Sequence, residues 1–254
     1  MSVNGVRSVQ TALRVLEELA AHDSAGVTEL SRALAVPKSS VQRMLYTLEG
    51  AGWVRQTGRE LTRWALTTRM LTLGQRSRGE NDLRSMALPI MNGLRDATRE
   101  TVHLAVQERN NVVVIERMES PQPVRTHVDL GMAVPMVASA NGKAILSTWP
   151  DREIEDLIAE GLTSYTEATV SDPRLLWEQI EQIRDRGYAT NEGEWRLGVV
   201  AVASPIMEGQ RAGSGLSIST PAHRMTQDLQ KQYGEMLVDA TASVGEALTG
   251  YADN

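Results

Sequence analysis

The chain has 254 residues, of which 41% are apolar and 23% charged, and carries a net charge of −6. Those proportions belong to a soluble globular protein with a real core, and at roughly 100–200 residues per domain the length allows one large domain or two smaller ones. Cysteine is absent, which excludes disulfides, a thiolate zinc site and a cysteine nucleophile, and fits a reducing, cytoplasmic location.

No apolar run reaches about eighteen residues, so no membrane span is expected. Met1 to Gly26 mixes charges into its apolar residues, so no secretory leader is expected there. The charge is divided unevenly. Residues 1–79 hold 11 Lys and Arg against 6 Asp and Glu, whereas residues 80–254 hold 15 against 26. A basic front on an acidic body implies that only the front meets a polyanion.

The stretch Val9 to Ala21 places Val9, Ala12, Leu13, Leu16, Leu19 and Ala20 on one helical stripe. His22 to Gly26 interrupts it. Thr28 is the expected N-cap of a short second helix carrying Leu30, Ala33 and Leu34. Ala35-Val36-Pro37 forms a turn, and proline suits the helix start that follows. A third helix is expected from Lys38 to about Gly50, buried through Val41, Leu45 and Leu48, with Gly52 beyond it as a left-handed cap.

The outer face of that third helix carries Lys38, Ser39, Ser40, Gln42 and Arg43. Short hydrogen-bonding groups and two cations suit a slim helix end entering a major groove, with Gln and Arg reaching base edges. A hairpin follows, from Trp53-Val54-Arg55-Gln56 through Gly58 to Arg63-Trp64-Ala65-Leu66. Arg55, Arg59 and Arg63 bring three cations onto this wing, where they are expected to clamp the DNA backbone. Helix, helix, polar-tipped helix and hairpin together read as a winged helix-turn-helix.

Further along, Met70 to Gln75 begins a linker helix that Arg76 to Gly79 ends. Leu83 to Ala97 reads as a long amphipathic helix interrupted by Pro89. Strands are expected at Thr101 to Gln107, Val112 to Met118, Thr126 to Leu130, Gly187 to Thr190, Val199 to Pro205 and Gly215 to Ser219. Helices are expected at Asp151 to Glu160, Asp172 to Arg186 and Thr226 to Leu248. The expected fold class is α+β: a DNA-binding domain over 1–69, a linker helix over 70–81 and an effector-binding domain over 82–254.

No catalytic constellation is visible. The four histidines, His22, His103, His127 and His223, lie far apart without a partner at ligand spacing, so neither a metal nor a cofactor is expected. Gly213-Ser214-Gly215 lacks the strand–turn–helix order of a nucleophile elbow. A small-molecule enzyme with an appended DNA-binding head is the alternative to a regulator, and a protein-binding adaptor is a third reading. A ligand seat is plainer. Ser139-Ala140-Asn141-Gly142-Lys143 opens a helix, where amides and the positive dipole end favour a carboxylate. Ser217 and Ser219 alternate with Leu216 and Ile218, so both hydroxyls face one side of a strand.

The run TELSRALAVPKSSVQRMLYTLEGAGWV resembles the helix-turn-helix of the IclR-type bacterial transcriptional regulators, and VRSVQTALRVLEEL resembles their first helix. The likeness continues through VIERMESPQPVR, LGMAVPMVASANGKAIL, RDRGYATNEGEWRLGVVAVASPI and SGLSISTP. It implies a GAF-like antiparallel sheet domain that binds an effector, and a dimer or dimer of dimers that binds double-stranded operator DNA. It also implies that Ala140, Asn141, Asn191, Ala201, Ser217 and Ser219 line the effector cavity, with Val199 and Met136 closing it. The family's frequent Asp is Asn191 here and its frequent Cys is Ala201, which leaves room for a larger or more anionic ligand than the smallest keto acids. A small organic acid is therefore the expected effector.

Overall fold

The computed structural model describes residues 5–58, 61–75 and 78–252. The chain divides into two compact units, with the division between residues 78 and 79. Among the described residues no helix is long and apolar enough to cross a membrane.

The N-terminal unit is built from α1 (Arg7–Ala20), α2 (Val27–Leu34), α3 (Lys38–Gly50), β1 (Val54–Thr57), β2 (Arg63–Leu66) and α4 (Arg69–Gln75). Its core joins Val15, Leu16 and Leu19 of α1 to Leu30 and Leu34 of α2, Val41 and Leu45 of α3, and Trp64 of β2. The α1 stripe is narrower than its apolar spacing suggests, because Val9 and Leu13 are exposed.

The N-cap of α2 is Gly26, not Thr28. Glu29 at the third helical position reaches back to accept the Gly26 amide at 2.9 Å, and this bond holds the chain at Gly26, two residues before Thr28. The α2–α3 turn passes through Ala35 in the left-handed region, φ 52°. The Ser31 hydroxyl donates to the Val36 carbonyl at 2.7 Å, which fixes the angle at which α3 leaves α2. The β1–β2 hairpin pairs Val54 with Leu66 and Thr57 with Arg63. Ala25 then pairs with Trp64 through two backbone hydrogen bonds of 2.9 and 2.8 Å, so the wing is tied to the helices as well as to itself.

The C-terminal unit contains α5 (Arg78–Thr98), β3 (Thr101–Glu108), β4 (Asn111–Met118), β5 (Ala133–Pro135), α6 (Ala140–Leu146), α7 (Asp151–Ala159), α8 (Pro173–Arg186), β6 (Ala189–Glu192), β7 (Val199–Glu208), β8 (Arg211–Pro221) and α9 (Gln227–Ala252). Its strands form one antiparallel sheet in the order β5-β4-β3-β8-β7-β6. Alternation sends Val102, Leu104, Leu216 and Ile218 to one face, where they meet Leu83, Ala87 and Met91 of α5 and Tyr233, Leu237 and Val244 of α9. The other face, including Ala105, Val112 and Val114, packs on Ile145 and Leu146 of α6, Ile154 of α7 and Leu176 and Ile180 of α8.

The strand expected over Thr126 to Leu130 does not form. The edge of β4 is taken by β5, with Asn111 opposite Pro135. Thr126 spends its hydroxyl on Ser219 instead, at 3.1 Å from the carbonyl and 2.6 Å from Oγ. Gly142 fixes the position of α6. A Cβ there would stand 2.1 Å from the Met136 carbonyl oxygen, so only glycine lets that backbone cross the first turn of the helix.

Candidate nucleic-acid face and effector cavity

On α3, Lys38, Ser39, Gln42 and Arg43 are exposed and Ser40 is half-buried, while Val41 and Leu45 turn inward. Ser39, Gln42, Arg43 and Tyr46 recur at helical spacing and share one outward face. Tyr46 was not singled out in the sequence. It is 52% exposed and meets the Trp64 ring edge-on at 5.5 Å, which holds it in place. Arg55 is exposed on β1. Arg59 lies outside the described residues.

Arg63 does not belong with these cations. Its Nε donates to the Ser24 hydroxyl at 3.0 Å, its Nη2 to the Ser24 carbonyl at 2.7 Å, and its guanidinium pairs with Glu29 at 2.9 Å. These bonds tie it to Ser24 and to the first turn of α2, so it braces the wing against the helices. The Gly26 amide, and then Arg63, hold the Glu29 carboxyl below the usual carboxylate range.

In the C-terminal unit, Ala140 and Asn141 of α6, Asn191 of β6, Val199 and Ala201 of β7, and Ser217 and Ser219 of β8 all line one cavity of about 100 Å³. Four elements meet there because the antiparallel register sets Ala201 opposite both Asn191 and Ser219. Asn141 donates to the Ser217 hydroxyl at 2.9 Å and Asn191 to the Ala138 carbonyl at 2.6 Å. Ser139 caps α6 by accepting the Gly142 amide at 3.1 Å.

Met136 is absent from the lining. It is buried in the core between the sheet and α6 to α8, and its backbone lies against Gly142. The apolar wall is made instead by residues such as Ala105, Val112, Val114 and Val134.

The sequence also gave no sign of several other wall residues. His103 lies on β3 next to Ser217 in register, and Thr126, His127, Trp195 and Arg196 also stand on the wall. Arg196 stacks on Trp195 at 4.1 Å and donates to the His127 carbonyl at 2.9 Å. Burial pushes His103 down to about 3, and the neighbouring charges of Arg117 and His127 act in the same direction. The ring is therefore neutral at pH 7.

Beneath the loop that carries Trp195 and Arg196, the Lys143 ammonium reaches Glu194 at 2.5 Å and Gln179 at 3.0 Å. Burial lowers the Lys143 pKa, and the Glu194 carboxylate opposes that shift.

Two family matches span most of the chain. Residues 8–58 match the IclR helix-turn-helix domain, and residues 75–246 match the bacterial transcriptional regulator IclR C-terminal domain. The acetate operon repressor of Salmonella typhimurium is 34% identical over 250 residues, covering 96% of this chain and 91% of its own. The transcriptional repressor IclR of Escherichia coli is 32% identical with the same coverage. Among solved structures, the IclR regulator of Alicyclobacillus acidocaldarius matches with a TM-score of 0.78 and 27% identity, over 96% of this chain and 99% of that one. An IclR homologue of Microbacterium hydrocarbonoxydans complexed with 4-hydroxybenzoate matches with a TM-score of 0.80 and 23% identity, over 96% and 99%.

The chain belongs to the IclR family of bacterial transcriptional regulators. It is a helix-turn-helix transcription regulator with a C-terminal effector-binding domain, and the two relatives just named are repressors.

Proposed function

We propose that this regulator is a cytoplasmic dimer, or dimer of dimers, whose affinity for operator DNA is set by a small organic acid bound in the C-terminal cavity. The observation that carries this reading is the convergence of Ala140, Asn141, Asn191, Val199, Ala201, Ser217 and Ser219 on one cavity. A cavity of about 100 Å³ is somewhat smaller than the roughly 150 Å³ engineered cavity that holds benzene. It suits a short-chain acid or a single ring. The two serines and the α6 amides of Ala140 and Asn141, which precede the capped ones, supply donors for a carboxylate. Ala201 and Asn191 set its size and polarity.

At the other end, residues 1–69 form the DNA-binding domain, with Gln42 and Arg43 reading bases. Lys38, Ser39 and Ser40 seat α3 on phosphates and base edges, and Arg55 with Arg59 engages the backbone. Residues 70–81 link it to an effector domain over 82–254. A single winged helix makes few phosphate contacts, so two copies on a two-fold axis are needed to read a palindromic site firmly. Exposed Val9 and Leu13 on α1 and Leu71 and Leu73 on α4 offer apolar surface for that pairing. The effector acts through its differential affinity for the two arrangements of the heads.

The test is titration calorimetry of the full chain with short keto acids, aromatic acids, sugars and amines, followed by operator-binding assays with each compound that gives heat. Saturable heat with acids and a shift in DNA affinity are expected. Heat with sugars or amines and none with acids would overturn the reading.

A further inference from the structure

Two buried side chains on the cavity wall carry a polar atom with no partner among the described residues, His103 Nε2 and Asn141 Oδ1. Asn141 Oδ1 lies against the sheet, 2.9 Å from where a Cβ on Gly215 would stand. His103 is the more telling of the two. Its ring is 4% exposed. On its other side Nδ1 approaches Ser219 Oγ at 3.5 Å. Nε2 therefore has neither solvent nor a protein group. Leaving a buried polar atom so is unfavourable, and a ligand in the cavity would supply the missing partner.

The charge balance points the same way. Asn141, Asn191, Ser217, Ser219 and Thr126 are neutral. Among the side chains lining the cavity the only permanent cation is Arg196, which is exposed at the rim and already bonded to the His127 carbonyl. An organic anion moved from water into such a space needs a compensating charge at close range.

We propose that His103 receives the anionic group of the effector at Nε2 and takes up one proton as it does so, so that the anion is buried as half of a neutral pair. This rests on reading the cavity as an organic-acid site. The charged groups around the ring are few. β4 contributes Arg117, which is held by Glu119 at 2.8 Å. The segment after β4 contributes His127, which faces Asp129 at 2.8 Å and Glu119 at 3.7 Å. β8 and α6 present only neutral side chains to it. In the free protein, burial and the two nearby bases keep the imidazole neutral. A carboxylate beside it reverses the balance. A carboxylic acid is already ionised above about pH 5, so the proton comes from solvent and the complex gains no net charge. Affinity then falls about tenfold for each pH unit between the free and bound pKa values of the ring.

Calorimetry of the full chain with pyruvate, benzoate and 4-hydroxybenzoate, at about pH 6 in two buffers of different ionisation enthalpy, tests this. The heats should differ between buffers by the amount that corresponds to uptake of close to one proton. Affinity should fall about tenfold toward pH 7. His103→Gln should still bind, more weakly, with equal heats in both buffers and a flat pH profile. His103→Asn serves if that variant misfolds, and the buffer comparison on the unaltered protein needs no variant. Binding without buffer-dependent heat overturns the role of His103 and leaves the organic-acid reading intact. Undiminished uptake in His103→Gln also overturns it, by placing the proton elsewhere, His127 first. Failure of all three acids to bind overturns the acid reading of the cavity, and this proposal with it.

Discussion

The Lys143 ammonium and the Glu194 carboxylate face each other at 2.5 Å with side-chain exposures of 0% and 6%. They lie directly beneath the loop that brings Trp195 and Arg196 to the cavity. The Glu194 carbonyl also accepts from the Thr169 hydroxyl at 2.5 Å, so the loop is pinned through side chain and backbone alike. Removing one partner leaves the other charge buried and uncompensated. Lys143→Met should lower unfolding stability by about 3–5 kcal/mol in urea. The double variant Lys143→Met/Glu194→Leu should recover most of that loss. A double variant as unstable as the single one would mean that the loss comes from packing and not from charge.

Arg43 and Arg55 should separate by the kind of contact each makes. Arg43→Ala is expected to cost about 1–3 kcal/mol on the cognate site and to relax preference at one base position. Arg55→Ala should weaken binding to all sequences alike and reduce the slope of log affinity against log salt by about one. Fluorescence anisotropy on matched and mismatched duplexes at several salt concentrations reads both. Equal weakening on every duplex by Arg43→Ala would reassign Arg43 to phosphate.

Arg63 should behave differently from both. Its guanidinium is spent on Ser24 and Glu29, so Arg63→Ala should lower the melting temperature and leave the salt slope of DNA binding unchanged. A slope reduced as far as in Arg55→Ala would show that Arg63 reaches the duplex after all.

The first turn of α6 tolerates no side chain at Gly142. Gly142→Ala brings a methyl against the Met136 backbone, an overpacking expected to cost about 1–3 kcal/mol. It should also weaken effector binding, because α6 carries Ala140 and Asn141. Denaturant unfolding and calorimetry on the same variant check the two effects together.

His103 makes stability pH-dependent in a defined direction. Its folded pKa, about 3, lies below the unfolded value near 6.5. The unfolded chain therefore binds the extra proton. This contribution is fully present above about pH 6.5 and is lost as pH falls toward 3, by a few kcal/mol in all. Urea midpoints of the unaltered protein should fall between pH 7 and pH 5. His103→Gln should show a shallower fall over that interval, and a parallel fall would place the effect on other groups.

Much of this was legible in the sequence because it depends on local spacing. Pro37 and Gly52 mark the ends of α3, and the polar run from Lys38 to Arg43 lies on its outer face as the helical period requires. What failed depended on partners distant in the chain. Thr126 to Leu130 alternates like a strand, but β5 holds the only open edge of β4, so Thr126 bonds to Ser219 instead. Thr28 lost the cap of α2 to a side chain reaching back from Glu29. His103 reads as one polar residue in an apolar strand until pairing sets it beside Ser217. Met136 sits at a position the family implies for the cavity, yet it is buried in the core cluster and is not among the lining residues. Arg63 shares a face of the wing with Arg55, because it pairs with Thr57 two residues on, and only its partners Ser24 and Glu29, distant in the chain, set it apart.

The alternation along β8 has a mechanical consequence. Ser217 and Ser219 touch the cavity, and Leu216 and Ile218, the residues interleaved with them, lie in the apolar cluster that also holds Leu83, Ala87 and Met91 of α5. The two sides of one strand thus meet the cavity and the apolar layer to which α5 contributes. An occupant that displaced β8 would therefore disturb that close-packed layer directly.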